Sequence, residues 1–253
     1  MRLWFGNPVP LSERNESLRN LLIQNVENMV RDGTSVSVHG PESGYPSASH
    51  AWTRLYNSVE GVKCYYKAWK KGYDGIIIGC ITDPGLTETR SVIDIPVAGV
   101  CESAVLISSC LGSKFSIITH DRATGAILAD KIKCYGLSEK LASIRCVGFS
   151  AAEAVAASSN PTELINTFNK QAEKAIEEDE AEVIIPGCTI ISSILTSQKI
   201  RNIKDVPVID PVWAGIKMAE IFVDLKKSYN LGVCRKSIYS VPRGWEREIT
   251  ITT

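Results

Sequence analysis

Tyr73-Asp74-Gly75-Ile76-Ile77-Ile78-Gly79-Cys80 and Ala181-Glu182-Val183-Ile184-Ile185-Pro186-Gly187-Cys188 follow one plan: an acidic residue, an aliphatic run, then Gly-Cys. A short, continuous apolar run reads as a strand buried on both faces, the habit of parallel sheets. Each run is followed by a matching second strand, Asp94-Ile95-Pro96-Val97 in one case and Asp205-Val206-Pro207-Val208 in the other. Roughly a small domain's length, ~100 residues, separates the two copies. Duplication of an α/β lobe is the economical account of a strand, a Gly-Cys and a following strand that all recur.

The rest of the chain extends this pattern. Leu3 to Phe5, Ser35 to Val38, Gly75 to Ile78, Val97 to Val100, Lys114 to Ile118, Ile144 to Val147, Glu182 to Ile185 and Val206 to Ile209 read as strands. Helices are expected over Glu13 to Asp32, stopped by Gly33, and over Pro161 to Glu178 with Asn160 as cap. A third is expected over Pro211 to Lys227 with Asp210 as cap. The expected fold is α/β: two pseudo-symmetric lobes with parallel-type sheets flanked by helices, and an active-site cleft between them. If the Asp210 to Lys227 helix packs on the first sheet, the first lobe takes residues 1–98 and 209–253, the second 99–208.

Composition narrows the partners. Lys+Arg and Asp+Glu both count 28 in 253 residues, so no net field draws the chain to nucleic acid or to an anionic membrane surface. No run approaches the ~18 apolar residues of a membrane span, and the apolar start stops too early for a signal peptide. A cytoplasmic, homo-oligomeric protein acting on a small molecule is the expectation. The eight cysteines then read as thiols, mostly small buried hydrophobes. No pair stands as Cys-x-x-Cys and the three histidines are scattered, so neither a metal site nor a cofactor is expected.

Ligands of open α/β sheets bind beyond the carboxyl ends of the strands, where Cys80 and Cys188 are both expected. Facing each other across a cleft, two thiols suit removal of a proton from one face of a carbon and its return on the other. One must be thiolate and the other thiol, and amide donors can lower a thiol pKa enough for this. The glycine before each cysteine permits close backbone approach and unusual dihedrals. Thr82 and Thr189 add hydroxyl donors beside the sulfurs.

Several segments now come together in order: Asn7-Pro8, Gly40-Pro41-Glu42-Ser43, Gly79-Cys80-Ile81-Thr82-Asp83-Pro84-Gly85-Leu86, Pro96-Val97-Ala98-Gly99-Val100-Cys101-Glu102, Pro186-Gly187-Cys188 and Val208-Ile209-Asp210-Pro211-Val212. With them the chain resembles the aspartate/glutamate/hydantoin racemase superfamily, and more closely its hydantoin and allantoin racemase branch. The resemblance implies a cofactor-independent two-base racemase using Cys80 and Cys188. It also implies substrate-binding roles for Asn7, Ser43, Ile81, Thr82, Thr119 and Thr189, with Asp83 and Glu102 supporting them from behind. Thr189-Ile190-Ile191 departs from the Ala-Gly-Met usual in that branch and is closer to the amino-acid racemases. Gly44-Tyr45-Pro46 stands where a branched aliphatic residue is usual. Both departures fall where a substrate side chain would be read.

Other readings stay open. A 5-substituted hydantoin such as allantoin is the leading substrate. An amino-acid racemase, a related decarboxylase or a cis–trans isomerase are the enzymatic alternatives, and a two-lobe binding protein or a thiol sensor the non-enzymatic ones. Glu102 orients a catalytic group or merely answers a helix dipole. His120-Asp121 invites an acid/base role, though a polar pair beyond a strand is as often solvated. His39, just before the Gly40 loop, is a weaker candidate for the cleft wall.

Overall fold

The computed structural model describes residues 1–13, 16–241 and 243–244. The last nine residues of the expected first lobe, with residues 14, 15 and 242, lie outside the described residues. The first half runs β1 (Arg2–Gly6), α1 (Glu16–Met29), β2 (Ser35–His39), α2 (Ala51–Lys70), β3 (Gly75–Ile78), α3 (Leu86–Val92) and β4 (Val97–Gly99). The second runs α4 (Val100–Leu111), β5 (Phe115–Thr119), α5 (Arg122–Cys134), β6 (Leu141–Cys146), α6 (Ala151–Ala156), α7 (Thr162–Glu178), β7 (Val183–Pro186) and α8 (Thr189–Ser197). A small hairpin, β8 (Asn202–Ile203) with β9 (Val206–Pro207), then leads into α9 (Pro211–Tyr229).

The fold is α/β, with parallel sheets flanked by helices. One sheet has the order β2-β1-β3-β4 and the other β6-β5-β7, and every pairing in both is parallel. A single parallel bridge from Ile184 to Val208 adds the counterpart of β4 to the second sheet. The two sheets therefore share one strand order, as the repeated Gly-Cys segments predict. The expected strand over Val206 to Ile209 shrinks to that bridge. Pro207 carries no N–H for a ladder, and residues 206–207 pair antiparallel with β8 instead.

Both sheets are covered on both sides. In the first, Leu3, Phe5 and Ile77 face Leu22 and Val26 of α1 and Ile216, Ala219 and Val223 of α9. Trp4, Ile76 and Ile78 face Tyr65 and Ala68 of α2 and Leu86 of α3. In the second, Ile118 and Ile184 pack on Leu164 and Phe168 of α7, and Phe115, Ile117 and Ile185 on Ala104 of α4 and Leu128 of α5. Alternation of neighbouring strand residues between the faces is what a two-sided parallel sheet requires. The helix α9 begins as its sequence says it should: Asp210 accepts from the Val212 and Trp213 amides, with Pro211 in the first turn. At α7 the cap position is Pro161, one residue beyond the expected Asn160. No helix of the described residues is long and apolar enough to cross a membrane.

Two of the eight cysteines, Cys101 and Cys188, are buried, whereas Cys110, Cys134 and Cys234 are exposed. The expectation of mostly buried thiols was wrong because several lie on the outward faces or at the ends of helices. The two glycines before Cys80 and Cys188 are explained by close approach alone, since neither adopts a positive φ. A Cβ on Gly79 would lie 2.2 Å from the Phe5 ring of β1, and one on Gly187 2.7 Å from the Ile117 and Thr119 side chains of β5. Gly79→Ala and Gly187→Ala should therefore each cost about 1–3 kcal/mol through overpacking, read as a lowered urea midpoint. An unchanged midpoint in both would contradict this packing.

Candidate active site

Cys80 and Cys188 line one small cavity, about 60 Å³, at the carboxyl ends of the two sheets. Ile81, Thr82, Thr189 and Ile190 follow them in the wall, and Pro8, Val9, His120, Thr124 and Ala151 complete it with the loop Pro46-Ser47-Ala48-Ser49. Apart from the cysteines and His120, no lining residue carries a titratable side chain. The loop is held by α2, where buried Asn57 accepts from the Tyr45 amide and donates to the Tyr45 carbonyl. The rings of Tyr45, Trp52 and Tyr56 cluster beside it.

The two sulfurs sit in different electrostatic settings. Burial pushes the Cys188 thiol up, but a hydrogen bond to His120, that ring's charge and the amides of Ile191 and Ile190 outweigh it, and the net shift is downward. Cys188 occupies the cap position of α8, so those amides belong to a free helix N-terminus. His120 moves the other way: burial lowers its pKa, yet Cys188 and Asp121 raise it overall. A thiolate beside an imidazolium is the state that both shifts favour. Burial also pushes the Cys80 thiol up. Hydrogen bonds from Thr82 oppose this, while the negative Cys188 and Asp83 reinforce it, and the net shift is upward. Cys80 is thus the sulfur that keeps its proton.

The neighbours hold this arrangement in place. Thr119, fully buried at the end of β5, donates to the Gly187 carbonyl at 2.7 Å and so fixes the residue before Cys188. His120 Nε2 lies 3.1 Å from the Thr124 hydroxyl. Behind Cys80, Asp83 accepts from the Cys101 and Glu102 amides and from the Tyr135 hydroxyl, and its own amide donates to the Cys80 carbonyl. Burial pushes the Asp83 carboxyl up to about 6 against those three donors. Glu102 is paired with Arg90 and reaches the site only through Asp83.

Of the sequence-derived candidates, Cys80, Cys188, Ile81, Thr82 and Thr189 meet at the cavity. Thr119 stands one residue behind its wall. Asn7 stands beside it, its side-chain amide donating to the Val9 carbonyl at 2.6 Å. Ser43 is not brought there: it is exposed, its hydroxyl donating to Glu60 of α2 instead. His39 is elsewhere too, stacked on the Trp4 ring at 3.5 Å. His120, weighed above for an acid/base role, is brought in as the hydrogen-bond partner of Cys188, and Thr124 and the Pro46–Ser49 loop are the additions.

A fold of two like sheets with paired thiols at their shared edge defines a class, and the comparisons name it. The model of the Asp/Glu/hydantoin racemase family matches residues 15–219. The chain is 32% identical to a hydantoin racemase of Pseudomonas sp. (strain NS671) over 202 residues, 79% of each chain. Among solved structures it resembles an allantoin racemase from Klebsiella pneumoniae (TM-score 0.83, 23% identity, 98% of each chain covered). It also resembles a glutamate racemase from Francisella tularensis (TM-score 0.60, 17% identity, 93% and 84% covered), a likeness of fold. The chain belongs to the Asp/Glu/hydantoin racemase family, and with it to the isomerases.

The electrostatic asymmetry is directly measurable. Iodoacetamide at pH 7 should alkylate Cys188 ahead of Cys80, and His120→Asn should slow the Cys188 reaction about tenfold and move its pH dependence upward. Peptide mapping by mass spectrometry separates these sites from the exposed thiols. Equal rates at Cys80 and Cys188 would contradict the asymmetry.

Proposed function

We propose that this protein racemises a 5-substituted hydantoin, such as allantoin, by proton transfer between Cys188 and Cys80 across the substrate carbon. One observation carries the reading: two thiols line one cavity with opposite protonation bias, which is what a two-base exchange needs at its start. In one direction the Cys188 thiolate takes the proton from C5 and becomes a thiol. The electron pair left on C5 delocalises into the adjacent ring carbonyl as an enolate. The Cys80 thiol then gives its proton to the opposite face and becomes the thiolate. The other enantiomer runs the same path in reverse.

The surroundings support that chemistry. The Thr189 hydroxyl stands in the wall beside the sulfurs as a donor for a developing oxyanion. The wall offers no Lys, Arg, Asp or Glu, so an uncharged imide ring matches it better than a zwitterionic amino acid, whose two charges would be buried unpaired. A ring carbonyl beside C5 also makes that proton more acidic than the Cα–H of a free amino acid. His120 holds Cys188 as the base without entering the proton path itself. On this reading Asn7 and Thr119 act by fixing the Pro8–Val9 and Gly187–Cys188 turns.

Cys80→Ser and Cys188→Ser should each lower racemisation by at least about 10³-fold, since a serine hydroxyl is far too weak a base near neutral pH. In D₂O each variant should still exchange the C5 proton of one enantiomer, and the two should prefer opposite enantiomers. Proton NMR of each pure enantiomer reads this directly. Full racemisation by either variant would sink the two-base assignment. Turnover of free amino acids with none of any hydantoin would sink the substrate.

A further inference from the structure

The turn after Cys80 sends one side chain into the other half of the molecule. Asp83 is fully buried, with its carboxylate at the head of α4. There Oδ1 accepts from the Cys101 amide at 3.1 Å and Oδ2 from the Glu102 amide at 2.8 Å. The cap position of α4 is Gly99, which has no side chain to offer these amides, so a carboxylate from a different element caps the helix. Gly99 also makes the room for it: a Cβ there would lie 2.5 Å from Asp83 Oδ2.

The third donor comes from the cover of the second sheet. Tyr135 stands just past α5, its ring packed against the core of α4, α5 and β5, and its hydroxyl donates to Asp83 Oδ2 at 2.6 Å. Its own backbone is held, the amide donating to the Lys131 carbonyl of α5 at 3.0 Å. What it grips is a turn in need of anchors. Asp83 has φ at +43°, a conformation that residues other than glycine adopt sparingly. Through its amide, which donates to the Cys80 carbonyl at 2.9 Å, that conformation is joined to the sulfur-bearing residue. Neither Asp83 nor Tyr135 lines the cavity itself. The other copy of the repeat is built differently, since the third residue after Cys188 is Ile191, within α8.

We infer that Tyr135 is a positioning residue for Cys80: through the Asp83 carboxylate it fixes, from the second half of the chain, the turn on which the first half's sulfur stands. The inference rests on the reading of Cys80 as an acid–base group given above. Cys188 has its own donors at the head of α8, so the Tyr135 tie serves one sulfur and not the other. It also makes the place of Cys80 depend on how the halves are docked, because the carboxylate meets its three donors only with α4 and the end of α5 against the turn. With the hydroxyl gone, a buried carboxylate keeps two of those donors and the turn opens more readily.

Tyr135→Phe keeps the ring and removes only the hydroxyl. Without substrate, iodoacetamide should label Cys80 about tenfold faster in this variant, a hydrogen bond to a buried carboxylate being worth that much in the opening of a turn. Cys188 should stay within about twofold of its wild-type rate, and peptide mapping separates the two. With a hydantoin, kcat should fall about tenfold while KM stays within about twofold, since Tyr135 does not touch the cavity. Asp83→Asn should lower kcat further, and adding Tyr135→Phe to it should cost nothing more, because the hydroxyl acts through that carboxylate. An unchanged Cys80 labelling rate would overturn the inference, whatever the substrate proves to be. Labelling raised equally at both sulfurs would overturn it as well, marking a loss of overall stability. Additive losses in the double variant would overturn the route through Asp83. Selective labelling of Cys80 together with no turnover of any hydantoin would uphold the Tyr135 tie and count against the proposed reaction instead.

Discussion

A charged sulfur inside a protein survives only where fixed donors replace the water it has lost. At Cys188 three such donors converge: the Ile190 and Ile191 amides at the head of α8 and the His120 ring. Much of the second sheet's carboxyl edge serves this one requirement. Thr119 holds the Gly187 carbonyl, Gly187 lets that backbone lie against β5, and Thr124 meets Nε2 of His120. Each of these contacts is made by a residue within two positions of a strand end or in the first turn of a helix. That is where a parallel sheet naturally gathers side chains from distant parts of the chain.

The first sheet solves a different problem at the equivalent place. After Cys80 the chain makes a turn through Asp83, with φ at +43°, instead of entering a helix at once. The turn is tied down by Asp83, which joins the Cys80 carbonyl to the start of α4 and to Tyr135 just past α5. Without a helix N-terminus at the sulfur, burial prevails and the thiol keeps its proton. The same duplicated segment therefore yields two sulfurs of opposite bias, because the elements that follow them differ.

The cavity exists because the two halves are packed together by helices, not only because each half is folded. Leu18 of α1 joins the core around α8, and Ala214 of α9 joins the core under α4 and β5. The Asn25 amide of α1 donates to the Ser193 carbonyl of α8. These contacts hold the sheets at a fixed separation.

Periodicity and repetition in the sequence determined the parallel sheets, the identity of the two paired cysteines and the helix start at Asp210. Each of these rests on local chemistry: an apolar run, a small residue before a thiol, a side chain that caps its own helix. Tertiary structure alone decided what surrounds the thiols. His120 reaches Cys188, with Thr124 at its Nε2, only because β5 and β7 are neighbours, and a loop pair beyond a strand carries no mark in sequence of which strand will lie beside it. Ser43 and His39 show the converse: Ser43 lies exposed in the loop after β2, and His39 ends β2 with its ring stacked on Trp4. The exposed face of α2, with Trp52, Leu55, Tyr56 and Val59, belongs to the same category. Whether a helical face is covered depends on elements that come together only in space.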